Sequence, residues 1–190
     1  MEILGKIYAH PLISEEEMQR IKLAHQKISF DKGDFILKNG KIAQGYLCLE
    51  SGITRTFVHD FKQQEFTTDF VSGGEIVIDV LSLFKQIPSR ENIQAITPCT
   101  GYWIAFDDFQ TLFHEINGFR EWGRAWMAQS LFSLKSRTVQ MVTESASTRY
   151  LSLIEAHPEI VQHVPLKYIA SYLGITDTSL SRIRKELSEK

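Results

Sequence analysis

From Ile28 to Phe106, apolar and polar side chains alternate in short runs set apart by glycines: Gly33, Gly40, Gly45, Gly52, the Gly73-Gly74 pair and Gly101. Ile53-Thr54-Arg55-Thr56-Phe57, Phe66-Thr67-Thr68-Asp69-Phe70 and Thr100-Gly101-Tyr102-Trp103-Ile104-Ala105-Phe106 follow a period of two, the spacing of strands with one buried face. Many short strands with turn residues between them predict a small barrel or jelly roll. One stretch departs from this pattern. Ile76, Val77, Val80, Leu81 and Phe84 recur at i, i+1, i+4, i+5 and i+8, which predicts a short helix inserted among the strands. A loop, "KQIPSRENIQAI", follows it and carries Ser89 and Arg90.

Helical spacing dominates on either side of this region. Before it, Ser14 and Glu17 form a capping box with Ile13 and Met18 as a hydrophobic staple, and Met18, Ile21 and His25 share a face. After it, Asp107 with Gln110 reads as a second capping signature, ahead of a stripe of Phe109, Leu112, Phe113 and Ile116. Asn117-Gly118 reads as a break. A long helix is then predicted from about Phe119 to Glu144, with Phe119, Trp122, Trp126, Ser130, Leu134, Met141 and Ser145 mostly three or four residues apart. A helix of that length in a small protein calls for a partner along it, so it is the expected dimer helix. "STRYLSLIEAHPEI" predicts one more helix, ending before Pro158, and two follow Pro165.

Those last two helices meet the requirements of a helix-turn-helix. Ala170 is small enough for close helix approach, and Gly174, four positions on, supplies a turn with positive φ. Leu166, Ile169, Leu173 and Ile175 on one side, with Leu180, Ile183 and Leu187 on the other, can form a shared core. Pro165 suits the opening of the first helix, and Thr176 or Asp177 can cap the second. The outward face of the second helix carries Asp177, Thr178, Ser179, Ser181, Arg182, Arg184 and Lys185. These are hydrogen-bonding side chains suited to DNA. Asp177, Thr178 and Arg182 are expected at base edges, Arg182 bonding guanine. Ser179, Ser181 and Arg184, with Lys167 from the first helix, are expected at phosphates.

Composition narrows the function classes. The chain has 190 residues, 43% of them hydrophobic and 23% charged, room for one larger and one small domain. The formal charge is −2, so any nucleic-acid contact must be local. From Val164 to Lys190 there are five Lys/Arg against three Asp/Glu, a formal +2, which suggests weak binding unless the protein dimerises. Cys48 and Cys99 stand alone in apolar runs and are expected to be free thiols; two separated cysteines cannot ligate an iron–sulfur cluster from one chain. The six histidines show no metal-ligand spacing, and His59 and His114 read as ordinary histidines rather than haem ligands. No nucleophile elbow or phosphate loop is present, so no enzyme, metal or cofactor is expected. The start lacks a signal-peptide pattern, and no run approaches the ~20 apolar residues of a membrane span. A cytoplasmic protein is expected.

Taken in order, the elements resemble the Crp/Fnr superfamily of bacterial transcription regulators over essentially the whole chain. The resemblance is carried by "VPLKYIASYLGITDTSLSRIRKEL" with "SASTRY" and "HPEI", and in the N-terminal half by "KGDFILKNG", "YLCLESG" and "SGGEIV". Together these are similar to short, Bacteroidetes-type members. The resemblance implies an α+β protein. A jelly-roll-like β-roll of the cyclic-nucleotide-binding fold would span 1–116, a dimerisation helix 117–145 and a helix-turn-helix DNA-binding domain 146–190. The sequence ends soon after the second helix, so most or all of the usual wing is expected to be missing. Implied partners are DNA, a second copy, a small-molecule effector and RNA polymerase, with no membrane. The other reading is an effector-sensing or protein-interaction module whose helix-turn-helix no longer reads DNA.

In cyclic-AMP-binding members of that superfamily a Gly-Glu pair, a short helix and an Arg-Ser-Ala segment cradle the phosphate. Here Gly74-Glu75 and the short helix are present, but the loop reads Ser89-Arg90-Glu91. Reversing two neighbours in extended chain turns each side chain to the opposite face, and the Glu91 carboxylate opposes phosphate. Cyclic AMP is therefore not the expected ligand. Gly74, Glu75, Ser89 and Arg90 are the candidate effector residues, with an exposed loop arginine as the other reading of Arg90.

Overall fold

The computed structural model describes residues 1–189. Lys190, the last residue of the expected DNA-binding segment, lies outside the described residues. Two short helices, α1 (Glu2–Ile7) and α2 (Glu15–Leu23), precede eight strands: β1 (Gln26–Phe30), β2 (Phe35–Leu37), β3 (Gly45–Ser51), β4 (Ile53–His59), β5 (Glu65–Ser72), β6 (Ile76–Val77), β7 (Asn92–Ala95) and β8 (Cys99–Ala105). Helix α3 (Val80–Lys85) is inserted between β6 and β7. The strands form two four-stranded antiparallel sheets, ordered β1-β8-β3-β6 and β2-β7-β4-β5. Leu47, Leu49, Val77, Ile93, Ala95 and Cys99 pack between them. The roll expected from the alternation is present.

Several local expectations are corrected. Ile76 and Val77 belong to β6, not to the inserted helix: they pair with Cys48 and Leu47 of β3, and the helix opens only at Val80. Asp107 caps nothing. Strand β8 runs straight into α4 (Phe106–Glu115), whose first amide is met by the carbonyl of Gln44 at 2.8 Å, so no capping side chain is used. The joint before the long helix is Ile116, at φ −104° and ψ 109°; Gly118 already lies inside α5 (Asn117–Thr143). A Cβ on Gly118 would stand 2.3 Å from the Leu12 carbonyl oxygen, so glycine there allows close approach rather than a break. Helix α1 is too short to show a period in the sequence, yet Leu4 within it and Tyr8 at its C-terminal cap are completely buried. The capping box at Ser14 and Glu17 is formed as expected.

Helix α5 has 27 residues and is about 40 Å long. Its first half packs on the roll through Phe119 and Trp122, which join Tyr8, Tyr46, Phe109 and Ile116 in one buried cluster. From Met127 onward it leaves Met127, Leu131, Phe132, Leu134, Val139, Met141 and Val142 exposed. Four helices follow: α6 (Ala146–Ala156), α7 (Pro158–His163), α8 (Leu166–Tyr172) and α9 (Asp177–Ser188). Helix α6 ends before Pro158 as expected, and the proline also opens a further helix, α7, in whose first turn a missing N–H costs nothing. No helix of the described residues is long and apolar enough to cross a membrane.

Candidate nucleic-acid interface and effector region

Helices α8 and α9 are joined by the turn expected of a helix-turn-helix. Gly174 sits at φ +70°, and a side chain there would meet the Met141 methyl at 2.8 Å. The amide of Ile175 returns to the Ala170 carbonyl at 3.0 Å, closing the end of α8. Ile169, Ala170 and Leu180 are fully buried and Leu173 nearly so, with Leu166, Ile175, Ile183 and Leu187 packed against them. Of the two candidate caps, Thr176 is the one used: its Oγ1 accepts from the Ser179 amide at 3.2 Å. The same hydroxyl lies 2.9 Å from that of Ser179 and 3.0 Å from that of Thr178, so Thr176 and Ser179 spend their polar atoms on the turn. Asp177, Thr178, Ser181, Arg182, Arg184 and Lys185 are exposed on α9, as is Lys167 on α8.

This motif is held against the roll by Ser171, Arg55, Tyr168 and Arg137. Strand β5 is the edge of its sheet, and an exposed edge leaves backbone groups unpaired. Helix α8 covers it: Ser171 Oγ accepts from the Thr67 amide at 2.9 Å and donates to the Glu65 carbonyl at 3.3 Å. The period of two in β4 places Ile53, Arg55 and Phe57 on one face. Arg55 is wholly buried there, its guanidinium carbon 4.1 Å from the centre of the Phe57 ring and 3.6 Å from that of Tyr168 on α8. Its Nε donates to Thr67 Oγ1 at 2.9 Å and Nη2 to Glu65 Oε2 at 2.7 Å, while Nη1 has no partner among the described residues. From the long helix, Arg137 donates to the carbonyls of Thr68 and Tyr172 and lies 4.0 Å from the Tyr172 ring centre. Ile53, Phe70 and Ile96 of the roll share one buried cluster with Tyr150, Leu153, Ile160, Val164 and the helix-turn-helix core. A lone arginine within Ile53-Thr54-Arg55-Thr56-Phe57 was the available signal: alternation puts it on the apolar face, so something must cover it.

The candidate effector residues make separate contacts. Gly74, at φ +100°, makes the turn between β5 and β6, and Glu75 closes that turn by accepting from the Ser72 amide at 2.7 Å and its hydroxyl at 3.1 Å. Arg90 is exposed, and its carbonyl accepts from Asn39 Nδ2 at 2.9 Å. Ser89 is buried at 3% exposure. The carboxylate at the head of the inserted helix is Asp79, not Glu75. Its Oδ1 accepts from the Ser82 amide at 2.9 Å, and its Oδ2 accepts from the Ser89 hydroxyl at 2.6 Å. Glu91 returns its amide to Ser89 Oγ at 3.0 Å and accepts from Thr68 Oγ1 at 3.2 Å. Burial, then the charge of Asp79, hold the Glu91 carboxyl above its ordinary range. Asp69 is pushed up to about 6 by desolvation, against the pull of Arg137. Glu91 thus faces the charge of both Asp79 and Asp69. Asp79 was missed because Ile76 and Val77 fall in register with the helix, which made Gly74-Glu75 look like its start.

Residues 27–115 match the cyclic nucleotide-binding domain family. The sequence has no match among curated proteins. Among solved structures, the chain is similar to the Thermus thermophilus catabolite activator protein (TM-score 0.61, 19% identity, covering 96% of this chain and 87% of that one). It is similar to the c-di-GMP responsive global regulator CLP of Xanthomonas campestris (0.72, 15%, 93% and 92%). It is also similar to a transcriptional regulator of the Crp/Fnr family from Eubacterium rectale (0.72, 17%, 95% and 87%). At these identities the likeness is one of fold.

Proposed function

We propose that this chain, which has the Crp/Fnr fold along its length and a β-roll of the cyclic nucleotide-binding domain family, is a sequence-specific DNA-binding transcription regulator that acts as a homodimer. The observation that carries the reading is α9: a capped helix on a tight turn, with its apolar side buried and Asp177, Thr178, Ser181, Arg182, Arg184 and Lys185 turned to solvent. Asp177, Thr178 and Arg182 stand near the N-terminal end, the part of a recognition helix that meets base edges. Ser181, Arg184, Lys185 and Lys167 serve as phosphate contacts, and Thr176 and Ser179 hold the turn. The dimer forms through α5, where Met127, Leu131 and Leu134 repeat at steps of four and three and remain exposed. No catalytic step is assigned.

The effector is a compound other than cyclic AMP, or there is none. Asp79 takes both the Ser82 amide and the Ser89 hydroxyl, and Glu91 and Asp69 add negative charge where a cyclic phosphate would be cradled. Selection of bound DNA from a random pool, with and without a panel of cyclic nucleotides, tests the reading. A two-fold symmetric operator whose enrichment does not depend on cyclic AMP is expected. Arg182→Ala should weaken binding to it by ~1–3 kcal/mol and relax one base position. Leu131→Asp with Leu134→Asp should give a monomer by sedimentation that binds far more weakly. Absence of salt-sensitive DNA binding under every condition would overturn the proposal in favour of a protein-interaction module.

A further inference from the structure

A cavity lies apart from the candidate effector residues. It occupies about 340 Å³ at one end of the roll, between the two sheets, and is lined by residues 35–38 and 41–45, by residues 77–79, and by Ile93 and Trp103. That volume is at the lower end of the roughly 300–1,000 Å³ of small-ligand pockets. None of Gly74, Glu75, Ser89 and Arg90 lines it, and Asp79, which does, already has both oxygens bonded to Ser82 and Ser89.

The lining is divided by polarity. Leu37, Ile42, Val77, Ile78, Ile93 and Trp103 provide an apolar wall, whereas Lys38 and Lys41 are exposed at the rim. Among the described residues neither ammonium has a carboxylate within 4.0 Å. Lys38 instead lies 5.0 Å from the centre of the Phe35 ring. An apolar pocket with two unpaired cations at its mouth complements a molecule with an apolar body and one anionic end.

We propose that this cavity binds a medium-chain fatty acid, the acyl chain lying against Leu37, Val77, Ile93 and Trp103 and the carboxylate held by Lys38 and Lys41. The site is separate from the DNA-binding reading and stands or falls without it. Trp103 in the wall makes the test direct. Tryptophan emission of the full chain is titrated with ω-bromodecanoate, whose bromine quenches a nearby indole, and reversed with decanoate or with decanol. Saturable quenching is expected, lost in Trp103→Phe, and about tenfold weaker in Lys38→Gln with Lys41→Gln at unchanged melting temperature. Decanol should compete about tenfold less well than decanoate.

Absence of saturable quenching would overturn the proposal, as would quenching that persists in Trp103→Phe and therefore arises at Trp122 and Trp126, which line an apolar groove of their own. Equal competition by decanol would also overturn it, since the cations would then have no role. If Trp103→Phe fails to fold, the two lysine substitutions and the decanol comparison still decide, because both lysines are exposed.

Discussion

Tyr168 is the side chain whose removal best tests how the helix-turn-helix is held to the roll. The Arg55 guanidinium lies between its ring and that of Phe57, with no exposure to water. A desolvated cation–π contact is worth about 2 kcal/mol, against ~0.5–1 at an exposed site. Tyr168→Leu keeps most of the apolar volume, so shape change adds less than ~1.5 kcal/mol. A total cost of about 2–3 kcal/mol is expected. The phenol oxygen makes no bond among the described residues, so Tyr168→Phe should stay within ~0.5 kcal/mol of the parent. Arg55→Met runs against intuition. It removes a buried charge whose Nη1 is unpartnered and whose carboxylate partner, Glu65, is 43% exposed and therefore screened. Its cost should fall within ~1 kcal/mol of zero. Combined with Tyr168→Leu it should show a coupling energy of about 1–2 kcal/mol, because the contact exists only when both partners do.

The assay is urea unfolding at one fixed protein concentration, with hydrogen exchange at the α8 amides to show which region loosens. A coupling below ~0.5 kcal/mol, or a Phe variant as unstable as the Leu variant, would refute the stacking argument. Faster exchange in α8 with α2 unchanged would place the loss at the docking surface rather than across the fold.

Three further outcomes are expected. Gly118→Ala should cost about 2–3 kcal/mol in urea unfolding, since its Cβ would stand 2.3 Å from backbone oxygen, which cannot rotate away; a cost under ~0.5 kcal/mol would contradict the contact with Leu12. His25 is depressed below the usual 6.5 by burial, its Nδ1 donating to the Ile21 carbonyl and its Nε2 accepting from Tyr8. The unfolded chain therefore takes up a proton first, and stability present above about pH 6.5 should fall as pH is lowered toward the depressed value; an imidazole signal titrating at or above 6.5 in the folded protein would refute this. Asp69 has the opposite sign: an acid raised to about 6 contributes fully below the unfolded value near 3.8 and loses that contribution as pH rises through 6. Asp69→Asn should accordingly gain stability relative to the parent at pH 7.5 and lose that gain by pH 4, and a gain that does not change with pH would argue against a raised carboxyl.

The two periodicities made most elements legible because each is a local property. Alternation marked β4, β5 and β8, three- and four-residue steps marked α5, and small residues at fixed spacing marked the turn between α8 and α9. Two kinds of information were lost. Where a strand and a helix share apolar positions, as Ile76 and Val77 do with Val80, Leu81 and Phe84, spacing cannot find the joint, and the error moved the candidate carboxylate from Asp79 to Glu75. Where a residue's role depends on what covers it, the face is legible but the cover is not: Arg55 could be placed beside Ile53 and Phe57, but Tyr168 lies 113 positions away.

Strand β5 joins both lost pieces. Thr67 stands opposite Phe57 on the side where α8 docks, and Asp69 stands opposite Thr56 on the side of Asp79 and Glu91. Between them Thr68 gives its carbonyl to Arg137 and its hydroxyl to Glu91, while Arg137 also holds the Tyr172 carbonyl at the end of α8. The carboxylate cluster and the helix-turn-helix are thus separated by the thickness of one edge strand. A change in charge at Asp69 alters the field on Arg137, a residue that directly positions α8, so the protonation that Asp69→Asn imitates should register in α8 exchange as well as in global stability.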